Sequence, residues 1–198
     1  VGIGRGAGIG ILIKDAEALE ILHKVRTIVL DKTGTLTQGK PAVTDVIGLD
    51  VLGKPFAFSH EHAKGAGWLS LVSSLASRST HPLSQAIVEH MRAQDADVRQ
   101  PETVEEVAGK GLRGRVGGSD VALGNAALMA QLGITTDAFR DVVATFAGQG
   151  KTPLSIAIDG KAVGIIAIAD TLKPTTREAI AELHRAGLEV AMVTGDHR

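Results

Sequence analysis

The 198-residue sequence predicts an α/β protein: one parallel-sheet domain interrupted by an inserted α+β domain. Three observations predict it. Near the start, a segment of helical period leads into the apolar run T-I-V-L, which stops on Asp31. Near the end the same order returns: a helical segment over 173–186, the apolar run Leu188–Val193, then Thr194. The stretch between them is different, punctuated by glycines and built of short strand and helix candidates over about 125 residues, a normal domain size. The boundaries read as 1–40 for the first segment of the interrupted domain, 41–169 for the insertion and 170–198 for the returning segment. In open parallel sheets ligands gather at the carboxyl ends of the strands, where Asp31 and Thr194 are expected to meet.

The elements follow in order. The opening V-G-I-G-R-G-A-G-I-G is too glycine-rich for a confident element and has no strand before it, so it reads as a flexible or closely packed segment rather than a dinucleotide loop. Asp15 caps a helix reaching Val25, with Ala18, Leu19 and Leu22 at helical spacing. Arg26–Leu30 reads as a short buried strand, followed by the polar loop D-K-T-G-T-L-T. A strand is expected over Val43–Val51 and a loop over 53–65. Trp68, Leu71, Val72 and Leu75 share one face of a helix over Gly67–Arg78. Pro82 opens a second helix, where its missing N–H costs nothing. Three strands, Thr103–Val107, Leu112–Val116 and Val121–Leu123, precede helices over Ala126–Leu132 and Thr136–Ala147. A hairpin turns at Asp159-Gly160. The last helix runs from Lys173 to Ala186 with Pro174 in its first turn, and a buried strand covers Leu188–Val193.

Composition removes several functions. A formal net charge of -1 gives no pull toward nucleic acid or an anionic membrane. With no cysteine, disulfides and thiolate metal sites are excluded within the chain. No apolar run is long enough to span a bilayer. Val1 in place of Met, and the stop at Arg198 shortly after an apolar run, read as a piece of a longer protein.

The chemistry concentrates at D-K-T-G-T-L-T, Asp31–Thr37. A carboxylate held at a strand end can attack phosphorus and become an aspartyl phosphate. Small neighbours leave room for the phosphate and a divalent cation, and Thr33, Thr35, Thr37 and Thr194 offer hydroxyls to its oxygens. Phosphoryl transfer is mostly positioning and electrostatics, which suits such a loop. A lone D-x-T-G is most simply a turn; the full string after an apolar strand is far more specific.

That string resembles the phosphorylation motif of P-type ATPases, the cation pumps that cycle through an aspartyl phosphate. The resemblance implies a haloacid-dehalogenase-like (Rossmann-like) phosphorylation domain, incomplete at its C-terminus, with an inserted α+β nucleotide-binding domain. It names Asp31, Lys32 and Thr33 as catalytic, with Thr194-Gly195-Asp196 as the phosphoryl-binding T-G-D. Asp31 and Thr33 would hold Mg2+. S-T-H-P-L, Ser79–Leu83, resembles the histidine-proline motif of heavy-metal pumps and makes His81 and Pro82 nucleotide-site residues. G-K-G-L-R-G, Gly109–Gly114, resembles the family's glycine loop, with Gly109 and Gly111 in register and the last glycine shifted. Gly124-Asn125 resembles its glycine-asparagine contact, and Asp170–Lys173 its hinge. The family's glutamate five residues before the motif histidine is Ala76 here, which leaves Ser74 or Ser77 to compensate. Its later lysine and G-D-G-x-N-D string fall beyond Arg198, so the resemblance implies that this piece binds nucleotide with little turnover.

The implied whole is a heavy-metal pump using ATP and Mg2+. Its partners are ATP or ADP, an actuator domain, and transmembrane helices that bind the transported ion; no nucleic acid is involved. The piece read here would be cytosolic, in a protein of the bacterial plasma membrane, with 1–14 as the strand-and-stalk region after a membrane segment. I-K-D-A-E-A-L-E, Ile13–Glu20, and L-G-N-A-A-L-M are more similar to copper(I) pumps than to zinc or cadmium pumps. The alternatives are a zinc, cadmium or cobalt pump, a dehalogenase-fold phosphatase, and a non-catalytic nucleotide sensor. The phosphatase reading is disfavoured because such enzymes carry a second aspartate where Thr33 stands. Gly150-Lys151-Thr152 is no P-loop, since Thr145 occupies the required glycine position. His60 and His62 read as an exposed polar loop, too few ligands for zinc.

Overall fold

In this computed structural model, residues 2–8, 10–50, 53–57, 67–94 and 97–193 are described. The chain divides into two compact units, Val1–Gly39 with Leu172–Arg198, and Lys40–Thr171. It passes from the first unit to the second along one strand and returns along another.

The first unit contains the short helices α1 (Gly2–Gly8) and α2 (Ala16–Leu22), and strand β1 (Thr27–Asp31). After the return come α7 (Thr176–Arg185) and β9 (Glu189–Val193). Asp15 Oδ1 accepts from the Ala18 N–H at 2.8 Å, so α2 is capped where the sequence places its start. β1 and β9 pair in parallel, Thr27 opposite Glu189 through Asp31 opposite Val193. Two expectations fail here. The glycine-rich opening is helical over Gly2–Gly8. The strands are not buried: Val29 is 63% exposed, Met192 55% and Val193 57%. An apolar run marks a strand, but burial needs cover on both faces, and none of the described residues provides it for these side chains. α7 also starts later than expected, at Thr176, leaving Pro174 outside the helix.

The second unit is a seven-stranded sheet with helices on both faces. Its strand order is β3-β2-β8-β7-β6-β5-β4. The strands are β2 (Thr37–Leu49), β3 (Pro55–Ala57), β4 (Thr103–Val107), β5 (Gly111–Val116), β6 (Ser119–Gly124), β7 (Thr152–Ile158) and β8 (Lys161–Leu172). β2 starts earlier than expected, and β3 lies where a loop was expected because it pairs antiparallel with Ile47–Leu49. Residues 58–66, with His60 and His62, lie outside the described set.

Helices α3 (Gly67–Ala76) and α4 (Pro82–Arg92) cover one face, packing Leu69, Val72, Leu75 and Ile87 on Leu112, Val121, Ile156 and Ile166. α5 (Ala126–Gln131) and α6 (Arg140–Gly148) cover the other, with Leu128 and Met129 on Ala122 and Ala157, and Phe139 and Phe146 on Ile165 and Ala167. Alternate β8 residues serve opposite cores, which is why G-I-I-A-I reads as an unbroken apolar run. Lys151 Nζ bonds Asp45 at 2.6 Å and lies 5.1 Å from the Phe146 ring centre, fixing the entry to β7.

Candidate nucleotide cleft and phosphoryl-acceptor loop

The cleft is built from the start of α4. His81 is the residue before the helix, and its Nδ1 accepts from the Leu83 N–H at 3.2 Å. An Nδ1 that accepts carries no proton, so this bond assigns the ring proton to Nε2 and makes that nitrogen a donor. Pro82 fixes the first helical φ. Buried Ser79 orients the pair: its Oγ accepts from the His81 N–H at 3.2 Å, and its carbonyl accepts from Gln85 Nε2 at 2.7 Å.

Facing His81 is the β4–β5 turn. Gly111 pairs with Gly124 across β5 and β6. A Cβ on Gly111 would stand 2.2 Å from the Leu123 carbonyl oxygen, and one on Gly124 2.3 Å from that of Lys110, so this approach admits no side chain. Asn125 locks the corner. Its Oδ1 accepts from the Leu128 N–H at 3.1 Å, capping α5, and its Nδ2 donates to the Gly109 carbonyl at 2.9 Å. These segments line a cleft of about 250 Å³, to which His81, Gly109, Gly111, Gly124 and Asn125 all contribute. Lys110, Glu106 and Thr152 line it as well.

Sequence reasoning held Ser79 and Lys110 only inside the quoted motif strings, without a role, and passed over Glu106. Glu106 had a signal: it shares a strand face with Val104, where alternation calls for an apolar side chain. One expected detail is corrected, the compensation for Ala76. Ala76 is fully buried in the core under α3, away from the cleft. Ser74 and Ser77 do not compensate for it: Ser74 bonds the Ser70 carbonyl and the Arg99 N–H, and Ser77 bonds the Ser74 carbonyl. Gly114 sits against the Thr103 carbonyl and Leu75, not in the cleft.

The acceptor loop belongs to the first unit. Asp31 ends β1, exposed, and its carboxylate has no bonded partner among the described residues. Thr33 (φ -78°, ψ 121°) and Gly34 (φ 77°, ψ -15°) have the angles of a type II turn, which requires glycine at its second central position. The hydroxyl of buried Thr37 closes the loop, donating to the Lys32 carbonyl and accepting from the Gly34 N–H, each at 3.1 Å. Thr37 is therefore a brace rather than a phosphate donor, a second correction, while Thr33 and Thr35 stay exposed. From the returning segment, Lys173 Nζ donates to the Gly34 carbonyl at 2.7 Å and Thr176 Oγ1 to the Leu36 carbonyl at 2.6 Å. Thr194, Gly195 and Asp196 lie outside the described residues.

Residues 25–198 match the haloacid dehalogenase-like hydrolase family. The chain belongs to that family. Within it, the whole chain is 42% identical to a copper-transporting P-type ATPase of Rhizobium leguminosarum bv. viciae and spans 22% of that protein. It is 38% identical, again along its full length, to a silver exporting P-type ATPase of Salmonella typhimurium, of which it spans 23%. Among solved structures it resembles a zinc-transporting PIB-type ATPase in the E2.Pi state, with a TM-score of 0.84 and 31% identity over 99% of this chain and 30% of that one. This haloacid dehalogenase-like chain thus spans about a quarter of the length of the curated relatives it matches.

Proposed function

We propose that this chain is the nucleotide-binding and phosphoryl-accepting catalytic portion of a heavy-metal P-type ATPase. The observation that carries the reading is the cleft: His81, Gly109, Gly111, Gly124 and Asn125, from three separate stretches of sequence, line one hollow. With them we assign Pro82 to the nucleotide site, and Asp31, Lys32, Thr33, Thr194, Gly195 and Asp196 to the phosphoryl site. The domain boundaries proposed are 1–40, 41–169 and 170–198.

The mechanism follows from the residues. ATP enters the cleft, and the Nε2–H of His81 and the backbone around Gly109 and Gly111 hold it. In the whole protein a carboxylate oxygen of Asp31 attacks the γ-phosphorus; the new O–P bond forms as the bond to the β–γ bridging oxygen breaks, and ADP leaves. The type II turn and the Thr37, Lys173 and Thr176 bonds keep the loop in place, so little reorganisation is required. The donor set fits a magnesium ion held mainly by water and nucleotide phosphates: an exposed Asp31 carboxylate beside Thr33, with no cluster of three or more acidic or histidine ligands among the described residues. When bound, that ion would neutralise phosphate charge as Asp31 approaches.

The transported ion we propose is copper(I); copper is the metal most often named among the relatives, with silver and zinc as rivals. The chain would act on the cytosolic side of a bacterial plasma membrane, joined to transmembrane and actuator segments; no helix among the described residues is long and apolar enough to cross a membrane itself.

Two measurements test the reading. Calorimetry of this chain should show ATP and ADP binding that weakens at least about tenfold in His81→Asn, the loss expected for one or two hydrogen bonds to a charged ligand. In the whole protein, labelled ATP should leave an acid-stable phosphate on the wild type and none on Asp31→Asn. Absence of nucleotide binding by the folded chain, or labelling that survives Asp31→Asn, would overturn it.

A further inference from the structure

Glu106 is the one carboxylate among the described residues that line the His81 cleft. It lies on β4 opposite Leu112 of β5, on the face where Val104 and Leu112 meet the core under α3 and α4. Its side chain is exposed and makes no hydrogen bond or ion pair among the described residues. Its neighbours are committed differently. Glu105, on the opposite face, is paired with Arg113 at 2.7 Å. Lys110 bonds Gln131 Oε1 at 2.6 Å, and the Asn125 amide is spent on α5 and Gly109. Among the described residues that line the cleft, Glu106 is therefore the one side chain that can only accept, while His81, Ser84, Lys110 and Thr152 line it with groups that can donate.

A carboxylate only accepts hydrogen bonds. It also repels phosphates, by about 1 to 4 kcal/mol per unit charge at 4 Å depending on local screening. The triphosphate of a bound nucleotide is thus steered away from Glu106, and the end of the ligand with N–H donors is drawn toward it. We infer that Glu106 is the base-reading group of the cleft, accepting a hydrogen bond from the exocyclic amine of adenine. This rests on the nucleotide reading above and deepens it. It also supplies an acceptor that position 76 does not, since Ala76 is sealed in the core and Ser74 and Ser77 are engaged elsewhere.

The test is a two-by-two cycle on this chain. One axis is Glu106→Ala; the other removes only the amine, replacing ATP with the triphosphate of purine riboside. The two ligands carry identical phosphates, so the general effect of removing a negative charge cancels in their ratio. Wild type should bind ATP about tenfold more tightly than the analogue, and Glu106→Ala should bind the two equally. Glu106→Gln, which can still accept, should keep part of the preference. Glu106 is exposed and unpaired, so each variant should melt with the wild type, which separates base reading from folding. An ATP-to-analogue ratio unchanged by Glu106→Ala overturns this inference and leaves the nucleotide site standing. A wild type that prefers GTP to ATP overturns it too, because the carboxylate would then be reading the two donors of a guanine edge. A folded wild type that binds no nucleotide overturns the nucleotide site and this inference together.

Discussion

His81 carries two duties that substitution can separate. Its Nδ1 caps α4 while its ring also lines the cleft. His81→Ala should lose both, costing about 1 kcal/mol of stability for the cap. His81→Asn replaces one capping side chain with another, so its melting temperature should stay near that of wild type while nucleotide affinity falls as in His81→Ala. Equal loss of stability in the two variants would refute the capping role. The close contact of Gly111 with Gly124 makes a harder prediction. Gly111→Ala puts a methyl 2.2 Å from the Leu123 carbonyl oxygen, well inside van der Waals contact with a backbone that cannot swing aside. Relieving it means parting β5 from β6, at a cost of about 2 to 4 kcal/mol, readable as a lower denaturation midpoint. Gly109→Ala has open space around it and should cost less, through its positive φ alone.

At the level of elements, the acceptor loop depends on a segment far away in sequence. Lys173 and Thr176 bind the Gly34 and Leu36 carbonyls, and Lys173 N–H adds a second bond to Leu36 at 3.0 Å. Thr176→Val keeps the shape and removes the hydroxyl, leaving the Leu36 carbonyl one bond poorer. A loss of about 1 kcal/mol is expected, seen as faster amide exchange in 34–37 and unchanged exchange in β6 and β7. If exchange across 34–37 does not change, the loop is held by its own turn and Thr37 alone. The Lys151–Asp45 pair is the element-level contact in the other unit. Its side chains are 21% and 32% exposed, so it is less screened than the surface pairs, and Asp45→Asn should lower stability by about 1 kcal/mol.

At the scale of the whole molecule, the two units differ in how they are held together. The buried apolar side chains among the described residues all lie between Val46 and Ile168, inside the unit Lys40–Thr171. The first unit buries only Thr37 and Thr176 among its described residues. A chain of residues 40–171 alone should therefore fold and bind ATP with the affinity of the 198-residue chain. In the latter, amides of β1 and β9 should exchange about a hundredfold faster than those of β6 and β7, because local opening there exposes little new apolar surface. Exchange at equal rates, in a single cooperative unit, would show that the two are energetically one.

The sequence by itself determined what is local. Asp15 capping α2, Pro82 opening α4 and the Asp159-Gly160 hairpin turn follow from backbone and side-chain chemistry within a few residues, and they are where the sequence places them. The order of the motifs carried the family resemblance. Tertiary structure decided what depends on distant partners. T-I-V-L and L-E-V-A-M-V announce strands, but their exposure depends on what covers them. A threonine in D-K-T-G-T-L-T can serve a ligand or the loop, and only the folded loop turns the Thr37 hydroxyl inward. The same holds for Ala76, hidden by the packing of α3, and for Glu106, carried to His81 by a strand register set between residues far apart in the chain. Local propensity acts over a few bonds, whereas facing, cover and register are properties of pairs of elements, and the cleft is made of those pairs.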